Sequence, residues 1–213
     1  MATVSKWANV QVAIQSALAA AKTITSISLA SPAVVSSTAH GYVNGDYVLI
    51  AAQGMFQVDA RVFRVAAAAA NTFALEGEDS TLYNAFTSGS AQFITFGTTM
   101  TTATGLTASG GDFAFIEITT IHDNIKKQIP GLASPASYQF ENLWDPTDPA
   151  LLAMKLASDN QAQRCVRFTF SGAQKVLFNG YIGATLLPTG TAQDKVVTSA
   201  VVTMFGRPTM YAT

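Results

Sequence analysis

Two histidines, one cysteine and 13 acidic residues hold whatever acid–base or metal chemistry this 213-residue chain could perform. His40 precedes Gly41 in the turn-like run HGYVNGD, and His122 stands beside Asp123 in TTIHDNI. Neither has a second histidine at zinc-ligand spacing, and no HExxH occurs. A triad of His122, Asp123 and a distant serine would rest on geometry alone, because the GxSxG elbow is missing. Glu76, Glu78 and Asp79 cluster in LEGEDST but lack the alternating ligands and distant glutamate of a calcium loop, so they read as a solvated turn. Glu141 and Asp145 flank a strand end without the pattern of a glycosidase pair. Gly105, Gly110 and Gly111 match neither phosphate-loop signature. Cys165 lies in RCVRFTF with no second thiol to form a disulfide or a cysteine-based metal cluster, so a small core residue is expected. The inventory predicts no enzyme, no catalytic residues, no cofactor and no metal.

Charge narrows the partners. Twelve basic residues face 13 acidic ones, for a net charge of −1. The adjacent basic pair is Lys126–Lys127, far from the clustered cations that tight DNA binding requires. Weak or passing contact with DNA remains compatible. Charged residues make up 12% of the chain, about half of the ~25% usual for soluble domains, while 49% are hydrophobic. No apolar run is long enough for a transmembrane helix. The start, MATVSKWANVQ, lacks a basic region followed by an apolar block, so no secretory signal is expected. A surface this poor in charge invites association. The two readings are a monomer with a Ser/Thr/Ala-rich surface, and an obligate oligomer whose interfaces bury the surplus apolar area.

The elements that would position these residues are mostly strands. Residues 9–15 (NVQVAIQ) alternate, with Val10, Val12 and Ile14 on one face; with SALAAAK they also match helical spacing, and the β-branched residues favour the strand. From about 28 to 96, short apolar runs alternate with turn signals such as Asn44-Gly45, suggesting a small β-subdomain. Residues 97–113 (GTTMTTATGLTASGGDF) have few apolar anchors and read as a long loop or flexible hairpin. FAFIEITTI alternates as a strand, and HDNIKKQIPGL reads as a short helix or turn stopped by Pro130-Gly131. SYQFENLWD is a further strand. At DPTDP, Asp148 can cap a helix with Pro149 in its first position and ALLAMKLASDN as its body, ending near Asn160. Strands at 164–171, 175–187 and 196–206 close the chain. The sum is a mainly β chain, an antiparallel sandwich or barrel with one main helix.

The series IEITTIHDNIKKQIPGL, YQFENLWDPTDPALLAMKLASDN, RFTFSGAQKVLFNGYIGATLLPTG and DKVVTSAVVTMFGRP, over about 113–211, resembles the tail tube proteins (major tail proteins) of lambda-like bacteriophages with long non-contractile tails. The specificity lies in the order of these stretches. HGYVNGDYVLI, GMFQVDARVFRV, NTFALEG and TSGSA are similar to the small β-fold called FCCH-like, without its ubiquitin chemistry. The resemblance implies a tube domain over residues 1–30 and 97–213 with an inserted module at 31–96. It also implies hexameric rings stacked into a hollow tube, in which strands of neighbouring copies join into one barrel and remove exposed edges. Other tail proteins would be partners, double-stranded DNA would pass transiently through the lumen, and the protein would reside in the virion tail after assembly in the host cytoplasm. Runs VLFNGYIGATLL and VVTSAVVTMF lack edge-guarding charges, which makes Phe178, Ile182, Val202 and Met204 candidates for an inter-subunit strand. Thr98, Met100, Leu106 and Gly111 are candidates for an inter-ring loop that orders on assembly. The competing reading is a carbohydrate- or receptor-binding β-sandwich of a virion or cell surface, using aromatic residues such as Trp7, Tyr42, Tyr47, Trp144 and Tyr181.

Overall fold

The computed structural model describes residues 7–212. The start of MATVSKWANVQ, where a secretory signal would begin, lies outside the described residues. Within them the chain is mainly β, with antiparallel pairing and one helix. The β-branched Val12 and Ile14 do open a strand, β1 (Gln11–Leu18), and SALAAAK forms no helix. Four consecutive β1 residues, Val12 to Gln15, are buried. β1 is a central strand, with β8 (Ser88–Met100) on one edge and β13 (Gln163–Thr169) on the other; Val12 and Ile14 pack in the apolar cluster under the helix, while Gln15 accepts from the Cys165 amide at 3.0 Å.

Between β1 and β8 the chain builds a small body from β2 (Lys22–Ile24), β3 (Ser26–Ile27), β4 (Val34–Ser36), β5 (Tyr47–Gln53), β6 (Arg61–Ala66) and β7 (Thr72–Leu75). After β8 come β9 (Ala103–Ser109), β10 (Phe113–Glu117), β11 (Gln128–Ala133), β12 (Ser137–Leu143), helix α1 (Pro149–Asp159), β13, β14 (Lys175–Ala184), β15 (Val197–Met204) and β16 (Thr209–Tyr211). The main sheet runs β3-β4-β7-β6-β5-β8-β1-β13-β14-β15-β12-β9, with β16 on β14 and β2 on β8, while β10 and β11 pair only with each other.

Three apolar clusters follow. One, from Ile24 to Ala91, fills the small body around Val48, Ile50, Phe63 and Phe73. A second lies under α1 and gathers Ile14, Phe140, Phe168, Phe178 and Val202. A third, with Val62, Ile94, Cys165, Leu177 and Tyr211, forms the seam between them. Helix α1 begins as its sequence dictates: the Asp148 carboxylate accepts from the amides of Ala150 at 2.7 Å and Leu151 at 3.0 Å, and Pro149 loses no donor in the first turn.

Two segments differ from their sequence reading. Residues 97–113 are not a loop: Thr98 and Met100 end β8, with Met100 buried, and Leu106 lies in β9, which pairs with β12. Their threonines suit a pleated surface, and tertiary pairing outweighs their lack of apolar anchors. Residues 122–127 take the turn and not the helix of the two readings, and Pro130-Gly131 does not stop the segment, because Pro130 sits inside β11 opposite Phe115. A proline is tolerated there since the two-stranded ribbon has an outer edge that needs no donor.

Candidate self-association surface

The ribbon of β10 and β11 rises from a glycine pair. Gly110 and Gly111 hold φ of +81° and +89°, and a side chain on Gly110 would strike the carbonyl of Pro135. Only glycine fits such a base. The Gly111 amide then donates to Ser134 O at 3.2 Å and the Ser134 amide to Asp112 O at 2.9 Å, closing the root of an arm. At its far end the Asp123 carboxylate accepts from Lys127 and from the amide and hydroxyl of Thr120. The Lys127 ammonium, and then Thr120, hold the Asp123 carboxyl below its ordinary pKa.

What the arm presents is apolar on both faces. Phe113 and Phe115 alternate with Ile116, and all of them are exposed; Ile121 is 96% exposed and Leu132 89%. An isolated two-stranded hairpin is marginal in water at best. Contiguous exposed apolar area of this kind marks an interaction surface.

Among the described residues the short β3 ends the sheet on one side, and two longer stretches of backbone edge lie open as well. Among the described residues β9 has β12 on one side and no strand on the other. β5 leaves β8 at Phe93, so beyond it β8 has β1 alone beside it among the described residues. ATGLTAS and ITFGTTM carry no charge and no proline, so neither edge is guarded. A third feature is the outer side of α1, where Leu152 and Leu156 stay exposed beside a cleft of about 200 Å³ that Trp144, Pro146 and Leu186 help line.

The structure distributes the candidate residues unevenly. Leu106 lies on β9 and Gly111 at the root of the arm, while Thr98 and Met100 are on the open stretch of β8, Met100 facing the core. Phe178, Ile182 and Val202 are buried, and Met204 is half-buried. β14 is flanked by β13 on one edge and by β15 and β16 on the other, and β15 by β14 and β12. The low charge of these strands therefore reflects a central place in the sheet, where their backbone groups pair within the chain. Among the described residues the longer open edges belong to β8 and β9.

The remaining chemistry-bearing residues are structural. His40 is buried, accepts the Tyr42 amide at Nδ1 (2.9 Å) and donates through Nε2 to Thr72 O (3.2 Å), which defines its neutral tautomer. Glu78, read from sequence as part of a solvated turn, is instead buried against Arg61, with contacts of 2.5 and 3.0 Å, and accepts from Tyr83 Oη at 2.6 Å. Glu76 pairs with Arg64. Cys165 is buried, which pushes its thiol up to about 12 and leaves it inert near neutrality. Among the described residues no three His, Cys, Asp or Glu side chains converge as a metal site, and no helix is long and apolar enough to cross a membrane. The aromatic candidates for sugar stacking are scattered: Tyr42 lies in the core of the small body, Tyr47 packs on Phe96, Tyr181 on Phe205 and Trp7 on Phe168 and Phe170.

Sequence reading missed the arm as a separate ribbon and missed β9 as an edge. Alternation in FAFIE pointed to a strand, but no local signal says how many neighbours a strand has. Residues 53–213 match the family described as phage tail tube protein, TTP. No curated protein matches the chain.

Proposed function

The chain belongs to the phage tail tube protein family, and on that premise we propose that it is a structural subunit that assembles with copies of itself into rings stacked as a tail tube. The rings are hexameric, the tail is long and non-contractile in the lambda-like manner, and double-stranded DNA passes through the lumen. The subunit assembles in the host cytoplasm, meets other tail proteins and resides in the virion tail. Residues 31–96 form an inserted FCCH-like module carried by a tube domain of 1–30 and 97–213.

One observation carries this reading: an arm apolar on both faces, projecting beside an unguarded sheet edge. A copy related by rotation can lay its arm and edge against its neighbour, and repetition of that head-to-tail contact closes a ring. The open stretches of β8 and β9, with Thr98 and Leu106, are the edges offered to neighbours, and Gly111 lets the arm leave the sheet. Phe178, Ile182, Val202 and Met204 supply the core that holds these edges in place.

The test is electron microscopy and sedimentation of the purified full chain, wild type against the Ile116→Asp, Leu132→Asp double variant. Wild type should form stacked rings, and the variant should stay monomeric with an unchanged circular dichroism spectrum. Normal tubes from the variant would remove the arm from the interface, and a wild-type chain that never forms rings would sink the proposal itself.

A further inference from the structure

Arg64, Arg167 and Lys175 lie near one another where the small body joins the main sheet, and the arginines of this region are treated differently. Arg61 and Arg64 each hold a glutamate of their own, Glu78 and Glu76. Arg167 of β13 has none. Its Cζ lies 5.3 Å from the ring centre of Tyr47 and 4.8 Å from that of Phe96, the two rings crossing at 83°. Among the described residues its side chain has no hydrogen-bond or ion-pair partner, and its Nε is buried without an acceptor.

Lys175 of β14 lies on the same face. The register pairs Arg167 with Leu177 and Thr169 with Lys175, so Lys175 is the diagonal neighbour of Arg167 two residues along. Its Nζ donates to the carbonyl of Ala173 at 3.2 Å and forms no ion pair of its own among the described residues, although the Glu76 carboxylate held by Arg64 lies near enough to favour its charge. Burial, then Arg64 and Arg167, hold its ammonium below the ordinary lysine pKa. A chain of net charge −1 thus places two cations without ion pairs of their own, Arg167 and Lys175, beside the Arg64–Glu76 pair.

We propose that Arg167 and Lys175 form a binding site for a single oxyanion, a carboxylate or a phosphate group. The two rings fix the plane of the guanidinium, which leaves its N–H fork pre-set for two parallel bonds to a planar or tetrahedral oxyanion, and the lysine adds a movable charge. A pair of cations suits one anionic group. It does not suit a polyanion, whose retention needs many phosphate contacts. The anion has two possible sources with the same chemistry. On the assembly reading above it is a side-chain carboxylate of a neighbouring copy; otherwise it is free phosphate.

Thermal unfolding of the full chain in inorganic phosphate, against chloride at equal ionic strength, tests the site. Phosphate also stabilises proteins generally through exclusion from their surfaces, so the readout is the difference between wild type and Arg167→Met. Wild type should show an additional, saturable rise in Tm that Arg167→Met lacks. Lys175→Gln, at a half-exposed position that leaves the fold intact, should need roughly tenfold more phosphate. Equal responses in wild type and Arg167→Met, or an unshifted midpoint in Lys175→Gln, would overturn the proposal. Phosphorus NMR of assembled particles then separates the sources. Phosphate excluded from the tubes assigns the site to a neighbour's carboxylate, and phosphate retained assigns it to the free ion. A chain that fails to assemble yet shows the Arg167-dependent response would refute the tube reading and leave this site standing.

Discussion

The small body between Ile24 and Ala91 and the larger body under α1 are built from the same alternating strands, yet their rims differ. In the small body Met55, Val58, Phe63 and Phe73 are fully buried, Tyr42 Oη donates to Ala91 O at 2.9 Å, and Ser80 Oγ contacts the carbonyls of Ser28 and Ala30. Both of its β6 arginines have a carboxylate. The larger body has a core of the same kind, with Phe140, Phe168 and Phe178 in ring contact. Its rim, however, ends in open strand edges, an apolar arm and exposed leucines on α1. The contrast locates the surplus of apolar residues. Both bodies expose apolar side chains, Phe56 and Leu82 among them on the small one, but on the larger body they gather on an arm that pairs with no other strand among the described residues.

The sharpest way to break this contrast is Val202→Lys. Val202 is 0% exposed and packs in the cluster of Phe140, Phe178 and Ile182. A lysine there buries an unpaired charge, and the expected loss exceeds about 4 kcal/mol, enough to prevent folding. Substitutions on the arm should instead change stability by less than about 1 kcal/mol while abolishing assembly. Circular dichroism melts of the two variants decide the matter: a Val202→Lys chain that melts like wild type and fails only to assemble would move the interface to β15. Next in size is Glu78→Gln. It leaves the Arg61 guanidinium buried without its counter-charge, since both side chains are close to one-tenth exposed. Urea denaturation should show a loss of about 3 kcal/mol. A loss below roughly 1 kcal/mol would mean that water reaches the pair, and that the small body is less closed than it looks.

These variants also mark where the sequence was legible. Asp148-Pro149 announced α1 because capping is local chemistry. The strands at 175–187 and 196–206 were legible from alternation, but their position in the sheet was not. A period of two tells which side chains face inward and is silent on whether each edge has a neighbour, so low charge fits a central strand as well as an interface. Residues 97–113 were misread because they have few apolar anchors, and pairing of the end of β8 with β1 and of β9 with β12 decides their state. Glu78 and Arg61 stand 17 residues apart, and only the return of the chain through β6 and the turn after β7 turns two dispersed charges into a pair. The arm was half legible: FAFIE is a strand by pattern, whereas its lack of a second layer is a property of the whole fold.

A smaller effect tests the seam between the bodies. Burial raises the Cys165 thiol from 9.0 to about 12 and the Tyr211 phenol from 10.0 to about 12. Above the unfolded values the unfolded chain has released these protons while the folded chain still holds them. Stability is therefore fully present below about pH 9 and falls as pH rises toward 12. Lys175, with its lowered pKa, contributes the opposite sign over part of this range. Cys165→Ala should flatten the earlier part of the decline, measured as the urea midpoint against pH. An unchanged slope would mean that the seam opens to solvent before the rest of the fold.

The smallest expected effect asks whether closure imposes strain. Ala67, at the end of β6, has φ of 46°, and Ala173, in the turn between β13 and β14, has φ of 66°; both are exposed. An L-residue in this region costs about 1–2 kcal/mol, and glycine removes that cost while adding about 0.4–1 kcal/mol of unfolded-state entropy. Each Ala→Gly change should therefore stabilise by a few tenths of a kcal/mol to roughly 1 kcal/mol. The turn after β6 is pinned on both sides, since the Ala68 amide donates to Asn44 Oδ1 at 2.8 Å and the Ala69 amide to Thr72 O at 2.8 Å. The turn at Ala173 is held by its own short-range bonds, from the Ala173 amide to Phe170 O and the Phe170 amide to Gln174 O, both 2.9 Å. If the small body is the rigid one, Ala67 cannot relax its φ and Ala67→Gly should gain more than Ala173→Gly. A larger gain at Ala173 would place the stored strain in the open body and reverse the assignment of rigidity.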